Sequence, residues 1–121
     1  MSQRNNPDGL IRTGAKLGTL ALAGSTQADG GAIDITKNLT TLTGADGTKG
    51  AVLPAVTSPR DLGSQITLHN SGTSTAKVYP ESGGTINGAA ANASVTLAAT
   101  SFGVFIVTGA ATWKAYEAPA A

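Results

Sequence analysis

The acidic side chains are the first candidates for chemistry, because two carboxylates held across a cleft can act as general acid and base. The chain of 121 residues has seven Asp and Glu residues. Asp8, Asp29 and Asp46 each precede a glycine, a pairing that is typical of turns. We therefore expect these carboxylates to shape loops and not to carry acid–base catalysis.

This chain has few side chains that could bind a metal ion or act as a nucleophile. It has one histidine, His69, and no cysteine, so neither a thiolate nor a histidine cluster for zinc is present. Residues 46–50 weakly resemble a cation loop, but calcium needs six to eight oxygen ligands and one carboxylate is present. We expect a tight turn at residues 46–50, a solvent-facing His69, no metal and no cofactor.

Charge and composition exclude further classes of function. The net charge is +1, and no glycine-rich nucleotide-binding loop occurs, so nucleic acid and nucleotides are not expected as partners. No apolar run of about 18 residues and no basic stretch leading into a hydrophobic block is found, which predicts neither a membrane span nor a signal peptide. The sequence predicts a protein that is not an enzyme and that stays in the cytoplasm until it is assembled.

The elements that would position these side chains are short strands. From Ile33 onward, alternating apolar segments are separated by turn residues every eight to twelve positions, as in all-β domains. We predict a small antiparallel β-sandwich or jelly-roll-like barrel over residues 31–121, with Ile33 and Ile35 on one face. Ile66 and Leu68 should point inward on a strand that forms a hairpin with residues 75–79, Pro80 should end that second strand, and Trp113 should lie in the core.

Residues 1–30 are polar, glycine-spaced and poor in large apolar groups, so they are predicted to form an extended N-terminal arm. The segment 17–23 is compatible with a short strand or with an extended stretch lying on a neighbouring molecule. A disordered or self-packed tail is the alternative for the arm as a whole.

Oligomerisation is expected from the thin core, because Leu, Ile, Val and Phe make up only about a fifth of the chain. Residues 102–107 are apolar on both faces of one strand. Either the chain itself covers both faces, or one face packs against a second subunit. We assign Phe105 and Val107 to that subunit interface.

Several blocks of the sequence resemble a domain found in structural proteins of tailed phages, over roughly residues 20–116. The blocks are AGSTQADGGAI at 23–33, LTGADGTKGAVLP at 42–54, ITLHN at 66–70, VYP at 78–80, GTINGAAANASVTL at 84–97 and ATW at 111–113. The resemblance implies a surface module of the virion, such as a head decoration protein, a head fibre or part of a tail protein.

The resemblance and the composition together predict a capsid decoration (cement) subunit, a homotrimer on the capsid surface with the major capsid protein as its partner. We expect the arm to contact the capsid through Arg4, Arg12, Lys16, Leu17, Leu20 and Leu22. The alternatives are a head fibre, spike or tail-associated module, and a carbohydrate-binding domain that presents Trp113 and the two tyrosines, Tyr79 and Tyr116.

Overall fold

A computed structural model describes residues 16–56 and 62–118. This part of the chain is all-β, with ten strands and no helix, so the expected all-β class is confirmed. The strands are β1 Leu17–Ala21, β2 Gly31–Ala32, β3 Leu39–Thr43, β4 Gly50–Val52, β5 Gln65–Asn70, β6 Ala76–Tyr79, β7 Thr85–Ile86, β8 Val95–Leu97, β9 Phe102–Gly109 and β10 Thr112–Ala118.

The strands form two sheets, one of six strands in the order β1-β3-β5-β9-β10-β7 and one of four in the order β2-β4-β6-β8. From β1 to β9, successive strands alternate between the two sheets. Each strand up to β6 therefore starts at the same end of its sheet as the preceding strand of that sheet. Such neighbours are parallel, as seen for β1 with β3, β3 with β5, β2 with β4 and β4 with β6.

The prediction of an antiparallel architecture is therefore wrong, because both sheets are mixed. Among the described strands, antiparallel pairing joins β5 with β9, β9 with β10 and β6 with β8, and a single antiparallel bridge joins Ala23 to Gly50. The hairpin predicted between residues 65–69 and 75–79 is also wrong, since β5 and β6 lie in different sheets. Alternation within a strand reveals which side chains are buried, but it carries no information on which strand lies beside it.

Inward side chains of both sheets meet in one core. Trp113, Leu68 and Val78 are fully buried there, and Ile66 is 2% exposed, so the inward direction predicted for Ile66, Leu68 and Trp113 is confirmed. Pro80 follows the last residue of β6, as expected from its missing N–H.

The segment around Ile33 differs from the prediction. Ile33 is 5% exposed but Ile35 is 43% exposed, so the two do not share a buried face. The strand β2 ends at Ala32, because the Asp34 carboxylate then accepts hydrogen bonds from the main-chain N–H and hydroxyl of Thr36 and turns the chain.

Residues 17–23, which precede the predicted domain boundary at residue 31, pair with later strands and pack against the core. The strand β1 pairs with β3, Leu22 is 5% exposed in the core, and Ala23 forms a bridge with Gly50. Residues 1–15 of the predicted arm, with Arg4 and Arg12, lie outside the described residues.

Candidate functional site

The outward side of the six-stranded sheet is the most distinctive surface in the described part of the chain. Side chains alternate along each strand, so the neighbours of the buried residues Leu42, Leu68 and Phe105 point away from the core. We call this surface the outer face. It consists of Leu17, Thr19 and Ala21 of β1; Leu39, Thr41 and Thr43 of β3; Gln65, Thr67 and His69 of β5; Phe102, Val104, Ile106 and Thr108 of β9; and Lys114 and Tyr116 of β10.

Each member of the outer face is exposed or half-buried. No other part of the described residues therefore covers this surface. Lys114 is its one charged side chain. The remaining members are aliphatic, aromatic or threonine, together with Gln65 and His69. A sheet face that meets only water ordinarily carries many more charges than this.

The strand register aligns an apolar row across the outer face. Leu17 is the partner of Leu39, Leu39 of Thr67, Thr67 of Val104 and Val104 of Tyr116. With neighbouring strands about 4.8 Å apart, five strands give a row roughly 20 Å long. No stretch of sequence contains this row, because each of its members comes from a different strand.

A second row runs beside the first and contains an aromatic pair. Thr19, Thr41, His69 and Phe102 are successive cross-strand partners. The rings of His69 and Phe102 stack with their centroids 4.2 Å apart and their planes 12° from parallel. His69 therefore faces outward from its strand, as predicted, but one side of its ring is covered by Phe102.

Exposed apolar side chains concentrate on the outer face. Among the described residues, five large hydrophobic side chains are exposed, and Leu17 (76%), Phe102 (39%) and Tyr116 (70%) all belong to this surface. A shallow depression lined by Leu17, Gly18, Thr19, Leu39 and Thr41 lies at its β1 edge. Clustered apolar exposure of this kind is typical of an interaction site.

The two residues predicted at the subunit interface lie on the other side of β9. Phe105 and Val107 are each 1% exposed and pack in the core of their own chain. The side of β9 that is open to a neighbour is instead the one with Phe102, Val104 and Ile106. Both sides of this strand are apolar in the sequence, and no local pattern distinguishes the side that faces the core.

The residues predicted to contact the capsid are divided between surface and interior. Lys16 and Leu17 are exposed, whereas Leu22 is buried and Leu20 is half-buried against the core. The pairing of β1 with β3 places Leu20 on the core side of the sheet, and Leu22 follows directly after β1 on the same side.

Two of the three aromatic residues suggested for sugar binding also lie in the interior. Trp113 is fully buried and Tyr79 is 8% exposed, so Tyr116 is the one that remains accessible.

The carboxylates near described turns are bound by their own loops. The Asp46 carboxylate accepts hydrogen bonds from the main-chain N–H groups of Thr48 and Lys49 and from the Thr48 hydroxyl. These bonds, those from Thr48 first, lower the pKa of Asp46 from its ordinary value of 3.8 to about 2. Thr36 lowers the pKa of Asp34 in the same way. The tight turn predicted at residues 46–50 accordingly has its carboxylate engaged with the main chain.

Two glutamates support loops between strands. Glu81 accepts a hydrogen bond from the main-chain N–H of Val56 at 2.9 Å. Glu117 accepts from the main-chain N–H of Ala98 at 2.7 Å and from the Ser101 hydroxyl at 3.0 Å. Within residues 16–56 and 62–118, no three His, Cys, Asp or Glu side chains come together as a metal site would require, and no helix is long and apolar enough to cross a membrane.

No protein-family model, no curated protein and no solved structure matches this chain.

Proposed function

We propose that this protein is a non-enzymatic structural subunit of a bacteriophage virion, a capsid decoration (cement) protein that stabilises the head shell as a homo-oligomer. The observation that carries the proposal is the outer face, which is broad, apolar and almost free of charge. Small β domains with such a face need a protein partner to cover it. The resemblance of several sequence blocks to structural proteins of tailed phages favours a virion as the place where that partner is found.

The placement of the polar side chains supports a structural role. Asp34, Asp46, Glu81 and Glu117 each accept a main-chain hydrogen bond from a loop. Carboxylates held in this way fix loop geometry, and the lowered pKa values of Asp34 and Asp46 make these two groups poor proton acceptors at neutral pH. We propose that the two sheets form a β-sandwich whose loops are fixed by these bonds.

A decoration subunit stabilises a shell by bridging neighbouring shell proteins, so that separating them requires several contacts to break together. In this proposal residues 1–15, with Arg4 and Arg12, supply the contact with the major capsid protein. Lys16, which is exposed and directly precedes β1, continues it.

Attachment to phage heads tests the proposal directly. Purified protein is added to heads that lack it, and bound protein is measured by co-sedimentation and located by electron microscopy. We expect saturable binding at symmetry-related positions on the shell and an increase in the temperature at which heads release their DNA. Binding to tails or fibres alone, or no binding to any part of the particle, would contradict the capsid role.

Charge reversal in the first residues refines the test. Arg4→Glu combined with Arg12→Glu should weaken head attachment without changing the circular dichroism spectrum, since both residues precede β1. Lys49→Glu combined with Lys77→Glu is the matched control, because it reverses two charges at β4 and β6 of the four-stranded sheet, away from the outer face. Equal loss of attachment in both variants would show that overall charge, and not the N-terminal segment, governs binding.

A further inference from the structure

We propose that the outer face is the interface between copies of this chain. This inference rests on the proposed function and names the partner of the same surface: a second copy covers the outer face, while the shell is contacted elsewhere. The core-facing residues Phe105 and Val107 take no part in that interface.

Charge favours a second copy over an unrelated protein. Lys114 is the one charged side chain of the outer face, and the acidic residues that would attract it are missing from that surface. An unrelated partner is usually selected and oriented by complementary charges. A nearly neutral face is complementary to itself under rotational symmetry, because its apolar and hydroxyl groups meet similar groups of the next copy, and Lys114, on the last strand of the face, keeps its ammonium group in water at the rim.

The size of the outer face fits an interface of this kind. Its five strands, about 4.8 Å apart, and the seven residues from Phe102 to Thr108, at about 3.4 Å each, give sides of roughly 20 Å and a flat area on the order of 400 Å². Protruding side chains make the accessible area larger, which brings it near the roughly 800 Å² per partner of a stable complex.

The exposed aromatic rings supply anchors. The chain has five Phe, Trp and Tyr residues, and Trp113, Phe105 and Tyr79 are buried. The other two, Phe102 and Tyr116, are exposed on the outer face. Aromatic side chains are enriched among the residues that contribute most to binding at interfaces, so their exposure here is accounted for by a contact between copies.

The test compares charged substitutions on the two sheets of the full-length chain. Tyr116→Asp and Leu17→Asp alter side chains that are 70% and 76% exposed, so the fold tolerates both. Each should weaken self-association at least about tenfold, measured by analytical ultracentrifugation. Thr96→Asp, on an exposed position of β8 in the four-stranded sheet, is the matched control and should leave the mass unchanged.

A label provides a second measurement that does not depend on weakening the protein. The chain has no cysteine, so Thr67→Cys and Thr96→Cys each create one labelling site. A nitroxide at position 67, in the middle of the apolar row, should show dipolar coupling between copies that is lost on dilution with unlabelled protein. The nitroxide at position 96 should show weaker coupling or none.

The outcomes separate this inference from the proposed function. A monomeric wild-type protein, or oligomers that persist when Tyr116→Asp and Leu17→Asp are combined, would overturn the interface between copies. A monomer that still attaches to heads would leave the capsid role standing and assign the outer face to the shell. A monomer whose tyrosine fluorescence responds to added glycans would assign the face to carbohydrate. Oligomers that lose their association in both variants but never bind heads would support the interface and refute the capsid role.

Discussion

The side-chain amide of Asn70 donates a hydrogen bond to the main-chain carbonyl of Leu97 over 3.1 Å, which joins the end of β5 in one sheet to the end of β8 in the other. The same amide donates to the carbonyls of Ser74 and Ala98, and its oxygen accepts from the N–H of Gly72. Asn70 is fully buried. The Asn70 side chain therefore provides hydrogen-bond partners for main-chain groups of two loops where the two sheets meet.

Asn70→Ala should destabilise the protein by about 3 kcal/mol, because it leaves buried carbonyls and an N–H without partners. Gln65→Ala, on an exposed position of the same strand, should change the free energy of unfolding by less than about 0.5 kcal/mol. Urea unfolding of both variants measures the difference. Equal stability of the two variants would show that water replaces the Asn70 amide at no cost.

Asn70→Asp should be unstable at neutral pH and recover stability as the pH falls. The substitution replaces a buried donor by a carboxylate that faces three carbonyl oxygens, which raises the pKa of that carboxyl in the folded state. A group with a raised acidic pKa opposes folding when ionised and ceases to do so when protonated. Thermal unfolding as a function of pH checks the direction, and a stability that falls in parallel with that of the wild type would contradict it.

Leu22→Ala should destabilise the protein by about 3 kcal/mol, since Leu22 is 5% exposed in the core. Leu17→Ala, five residues earlier, should cost less than about 0.5 kcal/mol in a monomer, because Leu17 is 76% exposed. Chemical unfolding at low protein concentration measures both. A small effect for Leu22→Ala would contradict the position of Leu22 in the core and favour an arm that includes residues 17–22.

Asp46 should remain ionised down to a pH of about 2, where its carboxyl resonance titrates in the folded protein. Because the folded pKa lies below the ordinary value of 3.8, the stabilisation from this group is complete above pH 4 or so and is lost as the pH falls through about 2. Asp46→Asn keeps the side-chain oxygen but removes the charge, so its unfolding midpoint should depend less on pH in that window. A titration near 3.8 would contradict the hydrogen bonds from Thr48 and Lys49.

Thr100→Gly should raise the free energy of unfolding by about 1 kcal/mol. Thr100 has a φ of 60°, a left-handed conformation that a β-branched residue seldom adopts and that glycine accepts without strain. The same substitution at Thr96, in the extended strand β8, should instead lower stability by a similar amount. Loss of stability at both positions would contradict the prediction and show that the greater entropy of glycine in the unfolded chain outweighs the strain at Thr100.

The secondary structure and much of the core were predictable from the sequence. The alternation around Ile66 and Leu68, the proline after Tyr79 and the bulk of Trp113 each act locally, so their consequences are visible in short windows. Ile35 was misassigned because the turn held by Asp34 and Thr36 competes with continuation of the strand, and that competition is decided by side-chain hydrogen bonds.

The sequence by itself determined that this chain folds as short strands around a small apolar core, because strand propensity and two-residue periodicity are properties of neighbouring residues. Only the tertiary structure decided that the sheets are mixed, that Phe105 faces inward while Val104 faces outward, and that Leu17 and Tyr116 end one continuous apolar row. These features depend on which strands lie side by side. That choice is made by packing between segments distant in the sequence, and both faces of β9 are apolar enough to have served as the core.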